Sequence, residues 1–533
     1  RGRGQPTASA RRSRSDPARL GVADLSSTRV STLSRRCPRP RAFDDTSAPC
    51  ESHPSSIAMA AFTMSASALS ARVTTPRALK ASGARKGAAA PARRAFRAPA
   101  RAQAVVAPPA GGDSEAPKPR TEARREKVSP LSAENAQPVN IKPKGEPVRI
   151  KIDDQWYDCA GWAKAHPGGE RWIHFFDGRD GTDVFYALHS YGPNGSTKAL
   201  DRLSKLPKCD PPPAEELKAP TPSEYATSMS FRDFRVKLEK DGFFERNVFK
   251  EVWALTQVVG LYVAGQYFAY SNPVISTILL GLGMVQAGWL GHDYVHGRGP
   301  ICDAFRYMPT LMNGHGVEWW SQKHSMHHTF TNEEHLDNDV MMEPFFFLRS
   351  PTESGRPDHA MRKYQHIYGY PLLSIMFWLW RFHSLESAWR RKDKKELALM
   401  AINYTWLATC MPWQVAIGSV FLSGFIVASL VSATHQSEEI MEYGEGAEYV
   451  EGQFRSTRDA ETVFGPLETW IWGGMDTQLE HHLFPTMPRY NYHKLRPILK
   501  AWAKANDINY RISPSTKIIS DNFATLKRVA GEA

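Results

Sequence analysis

Two stretches without Asp, Glu, Lys or Arg, residues 252–292 and 397–434, constrain this chain more than anything else in it. About 20 apolar residues in a helix cross the hydrocarbon core of a bilayer, and each stretch is long enough to do so twice. Each also carries a helix breaker near its centre, Ser271-Asn272-Pro273 in the first and Cys410-Met411-Pro412 in the second. The pattern predicts two membrane hairpins, four spans in all; a pair of buried core helices in a soluble protein is the competing explanation. A hairpin returns the chain to the side it left. The segment before residue 252, the segment 292–396 and everything after His435 should therefore share one membrane face. A shorter apolar run, 367–380, is too short to cross and is expected to lie at the interface.

Charge is divided unevenly. Residues 1–112 hold 20 Lys or Arg against 5 Asp or Glu, and the rest holds 47 against 50, giving +15 and −3. The basic balance thus belongs to the leader, which removes the support for nucleic-acid binding that a basic pI would otherwise give. The first methionine is Met59, so residues 1–58 are expected to be translated upstream sequence. Residues 59–112 contain nine Arg or Lys, no acid and much Ala, Ser and Thr. That is the composition of a transit peptide. A Pro-, Lys- and Glu-rich linker is expected at 113–148. The six cysteines are scattered and suggest neither a disulfide frame nor a zinc knuckle.

Next comes VRIKIDDQWYDCAGWAKAHPGGERWIHFFDGRDGTDVFYALHS. His166, before Pro-Gly-Gly, sits on a tight turn from which its ring can enter a cleft. His189 ends an aromatic-rich helical run that can approach the same cleft from the opposite wall. Two neutral imidazoles suit a six-coordinate haem, which carries electrons because no axial position is open to oxygen. This segment closely resembles the cytochrome b5 domain, and the resemblance implies haem b held by His166 and His189.

Three histidine-rich motifs sit where the hairpins emerge. His292 and His296 are spaced i, i+4; His324, His327 and His328 follow Trp319-Trp320 at i, i+3, i+4; Gln478, His481 and His482 repeat that spacing. Each set falls on one helix face. Neutral imidazole suits iron, zinc and copper, and seven imidazoles exceed the four ligands of a structural zinc, which implies two metals. Asp293, Asn332 and Glu480 are candidates for fixing imidazole tautomers. Of the other histidines, His315 is the one most apt to join the site, since it sits just before the Trp pair.

The spacings HX3H, HX2HH and QX2HH resemble the membrane fatty-acyl desaturases, over residues 231–495. The third-box glutamine and the fused haem domain are similar to the front-end desaturases, which insert a cis double bond between an existing one and the carboxyl end. The likeness implies two irons, His435 as an eighth ligand, Gln478 as an outer group tuning the site, and electrons entering through the haem. Removing hydrogen from an unactivated methylene needs an oxidant stronger than any side chain; iron with O2 can supply it, whereas zinc does not change redox state. The acyl chain would thread a tunnel lined by Trp289, Trp319 and Trp320. With a plastid leader the chain resembles the plastidial delta-4 acyl-lipid desaturases of green algae. That implies a galactolipid substrate, ferredoxin as donor and a place in the chloroplast envelope or thylakoid. The alternatives are a delta-6 or delta-5 fatty acid desaturase, a delta-8 sphingolipid desaturase, an acyl hydroxylase, or a haem-carrying membrane redox protein. An endoplasmic-reticulum enzyme would draw on cytochrome b5 reductase instead.

The expected fold is mainly α: a four-span helical desaturase domain with a cytosolic- or stromal-side di-iron cap, behind a small α+β haem domain. The expected boundaries are 149–210 for the haem domain, 211–230 for a linker, 231–515 for the desaturase domain and 516–533 for a tail.

Overall fold

The computed structural model describes residues 141–532 except 190–197, 219 and 443–447. The upstream segment 1–58, the leader 59–112 and most of the linker 113–148 lie outside the described residues.

The first folded segment is built on a three-stranded antiparallel sheet, β1 (Arg149–Ile152), β2 (Gln155–Asp158) and β3 (Lys208–Cys209), in the order β1-β2-β3. Ile150 and Ile152 alternate inward with half-exposed Arg149 and Lys151, the period of a one-sided strand. Asp153, at φ 54°, starts the two-residue turn that pairs Ile152 with Gln155. Behind the sheet lie α1 (Glu170–Phe175), α2 (Thr182–His189) and α3 (Lys198–Leu203), around a core of Val148, Ile150, Ile152 and Cys159.

The remainder is mainly helical. Helix α4 (Pro222–Lys240) leads to α5 (Val248–Phe268) and α6 (Pro273–His296), which pack along each other. Asn272 accepts a hydrogen bond from the Ile275 amide at 3.1 Å and Pro273 occupies the first helical turn, so the breaker seen in the sequence is a capped helix start. After α7 (Pro300–Phe305), α8 (Met308–Asn313) and α9 (Val317–Thr329), the chain forms α10 (Gln365–Leu373) and α11 (Met376–Arg391). A second helix pair follows, α12 (Lys394–Cys410) and α13 (Trp413–His435). Asp393 caps its start and the Met411–Pro412 step separates its arms. Helices α6 and α13 form the central contact, and Gly281 lies so close to Leu422 that a Cβ there would come within 2.7 Å of its side chain.

Among the described residues, α6 and α13 are long and apolar enough to cross a membrane. The other two arms are 21 and 17 residues long and do not meet that measure. Helices α10 and α11 carry the run 367–380 and lie against α13.

Two of the expected connecting segments contain helix. Part of the linker at 211–230 is helix from Pro222, started by a capping box in which Thr221 and Glu224 exchange backbone hydrogen bonds. The tail at 516–533 is helix α18 (Ser515–Gly531), anchored because Ile518, Leu526 and Val529 are buried. Between α13 and this last helix come α14 (Tyr449–Ser456), α15 (Pro466–Trp472), α16 (Gln478–Leu483) and α17 (Tyr492–Ala505), with a parallel pair β4 (Asp459–Glu461) and β5 (Ile512–Pro514).

Candidate metal centre and haem cleft

His166 and His189 face each other with ring centroids 6.1 Å apart. Each ring is fixed through Nδ1 to a nearby backbone carbonyl: His166 to Gly169 at 3.1 Å, His189 to Phe185 at 2.9 Å. Both Nε2 atoms are thereby left free for a ligand, and the spacing leaves room for two metal–nitrogen bonds of about 2 Å each. The Pro-Gly-Gly turn has a steric reason. A Cβ at Gly168 would stand 2.9 Å from His166 Cε1, and Gly169 has a φ of 107° that side chains rarely adopt. Burial lowers the basicity of both rings; for His189 burial and then the nearby Arg298 bring the pKa to about 4. Both imidazoles are therefore neutral at physiological pH, as axial ligation requires. His174 is not part of this pair; its Nδ1 accepts from the Lys142 amide at 3.2 Å.

The larger centre is assembled from the ends of α6, α9, α13 and α16. His292, His296, His324, His328 and His481 form one group, and His327, His435 and His482 a second, the candidate ligand atoms of each group lying within 4.8 Å of one another. His328 and His482 stack at 4.3 Å, so the groups are neighbours. His324 Nε2 lies 2.9 Å from His292 Nε2 and 3.0 Å from His328 Nε2, while the buried Nε2 atoms of His296 and His481 have no hydrogen-bond partner. Converging lone pairs and orphaned buried nitrogens fit a bound cation and are unfavourable without one. Burial holds His324, His328, His481 and His482 well below the usual imidazole range, keeping them neutral. His327 differs: burial lowers it, but the Asp337 carboxylate at 2.8 Å outweighs burial and raises it.

The second group is braced at Nδ1. His327 is held by Asp337, His482 by Gln453 Oε1 at 2.8 Å, and His435 by the Ser456 carbonyl at 3.1 Å, which leaves every Nε2 facing inward. Tyr492 does the same for His481 at 3.2 Å. Gln478 lies beside the second group. Its amide nitrogen lies 3.0 Å from His435 Nε2 and 3.4 Å from His482 Nε2, and its buried Oε1 has no partner.

The three residues expected to fix imidazoles are engaged elsewhere. Asp293 pairs with Arg246 at 2.9 Å, Asn332 donates to the His435 and Glu439 carbonyls, and Glu480 accepts from Tyr510 at 2.8 Å. The actual braces, Asp337, Gln453 and Tyr492, were missed. Only Asp337 left a trace, in the acidic run Asp337-Asn338-Asp339 just past the second motif.

An apolar cavity runs between α6, α11 and α13 and opens onto the histidines. Met342, Leu373, Met376, Phe377 and Val427 are among its apolar lining, and His292, His324, His327, His435 and Gln478 are among its polar lining. Trp289 and Trp320 line it as expected, but Trp319 turns away and stacks on His383 at 6.0 Å. His315 also lines it, edge-on to Phe377 at 4.7 Å, and joins neither histidine group.

Residues 270–514 match the fatty acid desaturase family, and residues 134–205 match the cytochrome b5-like haem/steroid binding domain. Residues 270–514 thus carry a domain similar to that family, and the chain is a desaturase-type enzyme. It is an oxidoreductase of the front-end type with a cytochrome b5 domain, and its cofactors are haem and a di-iron pair. The desaturase is similar to the acyl-lipid 8-desaturase of Rebecca salina, at 27% identity over 69% of this chain and 88% of that one. It is similar to the delta(6)-fatty-acid desaturase of Caenorhabditis elegans, at 26% over 72% and 96%, and to the acyl-lipid (9-3)-desaturase of Physcomitrium patens, at 27% over 68% and 71%. The family is membrane-associated and acts on fatty acyl lipids.

Proposed function

We propose that this desaturase inserts a cis double bond into a polyunsaturated acyl lipid. His292, His296, His324, His328 and His481 hold one iron; His327, His435 and His482 hold the other. The observation that carries this reading is the apolar cavity ending on both histidine groups. A hydrolytic zinc site would need a polar approach, whereas a wall of Met, Leu, Phe and Val accepts a methylene chain. An amide turned through half a circle exchanges its oxygen and nitrogen, so Gln478 can offer Oε1 to the second iron where the other groups offer imidazole.

The di-iron pair supplies the oxidising power: for each double bond one O2, two electrons and two protons, with two hydrogens of adjacent methylenes, leave as two waters. The protein residues do the positioning. Asp337, Gln453, Tyr492 and the Ser456 carbonyl hold the Nδ1 protons and so aim each Nε2 inward, an arrangement whose removal reduces metal affinity or activity about 10- to 100-fold. Trp289 and Trp320 wall the cavity against water, and Met342, Leu373 and Phe377 limit how deep the chain can reach. Four spans in two hairpins, α5–α6 and α12–α13, put all eight histidines and the haem domain on one membrane face.

For the finer specificity we take delta-4, on galactolipid in a chloroplast membrane with ferredoxin as donor. The acid-free leader supports it. The named activities of the relatives favour a second reading, delta-6 or delta-8 desaturation in the endoplasmic reticulum. The deciding experiment is a fatty-acid methyl-ester profile, resolved by lipid class, of yeast or algal cells expressing the chain from Met59. A new polyunsaturated species with its extra bond at carbon 4 is expected; a bond at carbon 6 or 8 transfers the assignment to the second reading, and hydroxylated chains refute desaturation.

A further inference from the structure

Three of the contacts that seat the haem domain on the desaturase domain bear on the path between their metal sites. Phe330, two residues beyond His328, is buried among Trp172, Phe175 and Phe176, with centroids at 5.7, 4.1 and 6.2 Å. Arg232 donates to both oxygens of Asp183, at 2.9 and 2.8 Å. The third contact is Arg298, two residues after the first histidine motif. One arm of its guanidinium donates to the carbonyls of Val295, His296 and Gly297, at 3.2, 2.5 and 3.1 Å; the other reaches across to the Leu188 carbonyl at 2.5 Å.

Leu188 precedes His189, and His296 is one of the five histidines of the first group. A run of covalent and hydrogen bonds thus leads from a haem-facing imidazole, through Leu188, the guanidinium and the His296 backbone, to an iron-facing imidazole. Electron tunnelling decays less steeply through bonds than across gaps, and this run has none. We infer that Arg298 is the positioning residue that couples the haem clamp to the metal centre for electron transfer. The inference rests on the desaturase reading above. Each passage takes one electron from ferrous haem, which becomes ferric, and delivers it to the iron site; two passages complete one double bond, and a reductase of the pyridine-nucleotide or ferredoxin class restores the haem.

A guanidinium at this place also caps α6, whose last carbonyls have no helical partners. Lysine separates the two roles. It keeps the positive charge at the helix end but lacks the planar fork that serves both sides at once. The Phe330 cluster and the Asp183–Arg232 pair are untouched by the change, so the domains stay seated.

The test uses the full chain with haem and iron in nanodiscs of total polyunsaturated galactolipid from an algal membrane, with saturated phosphatidylcholine as the control. The haem is reduced anaerobically, oxygen is added, and lipid-dependent haem reoxidation is followed by its visible spectrum. R298K and R298M should slow reoxidation, with iron content and haem reduction unchanged. R298M should also lower the haem midpoint potential, since the lost positive charge favours the reduced form, while R298K leaves it in place. Reoxidation of R298K at the unsubstituted rate would mean that Arg298 is only a cap and would overturn the inference. So would an unchanged potential in R298M. Absence of lipid-dependent reoxidation in the unsubstituted chain overturns the galactolipid reading above, and is recognised because it needs no variant.

Discussion

The haem cleft and the metal centre both present neutral imidazoles to a metal, yet they fix those rings by different means. In the cleft, His166 and His189 are anchored to backbone carbonyls three and four residues away. In the metal centre, His327, His481 and His482 are anchored to the side chains of Asp337, Tyr492 and Gln453, which are 10, 11 and 29 residues away. A ring held by its own turn needs only that turn to form. A ring held by a distant side chain needs the whole helical assembly, so the metal centre should be both more tunable and more easily disarranged than the cleft.

The sharpest separation comes from deleting a ligand. His482→Ala should abolish the new acyl product and lower iron per chain while the haem spectrum is unchanged; a haem lost together with the iron would end the claim that the two sites form independently. Asp337→Asn is expected to be less severe, reducing activity about 10- to 100-fold by removing the anion that supports His327. The check is iron content against turnover, and full activity in this variant would show that the distant brace is dispensable.

A smaller effect lies at the boundary between the two regions. Burial and the Asp183 carboxylate push the Glu448 carboxyl up to about 8. A carboxyl raised in the folded state contributes its full stability below its unfolded pKa, near 4.3, and loses it as pH rises through about 8. Apparent melting temperature should therefore decline across that window, and Glu448→Gln should flatten the decline. A variant whose profile still follows that of the unsubstituted chain would exclude this carboxyl as the cause.

Local geometry was legible from the sequence wherever a residue's role depended on its near neighbours. The Pro-Gly-Gly turn, the i, i+4 spacing of His292 and His296, and the Asn272-Pro273 helix start all describe single turns. The division of ligands was not legible. His327 and His328 are adjacent, as are His481 and His482, yet each pair is split between the two groups. Consecutive side chains on a helix diverge by about 100°, so which of them faces which metal depends on how the helix is rotated against its neighbours. Trp319 and Trp320 differ for the same reason, one stacking on His383 and the other lining the cavity.

What the sequence determined by itself was an inventory with local order: long charge-free stretches, histidines in sets on helix faces, and an imidazole on a glycine turn. These follow from composition and from the pitch of a helix, which act over a few residues. The tertiary structure decided which nitrogens converge, that Gln478 stands among them, that Asp337, Gln453 and Tyr492 brace them, and that Arg298 reaches Leu188. Each of these depends on the packing of elements far apart in the chain, where helix rotation and depth are set by the fit of whole surfaces and no local pattern encodes them.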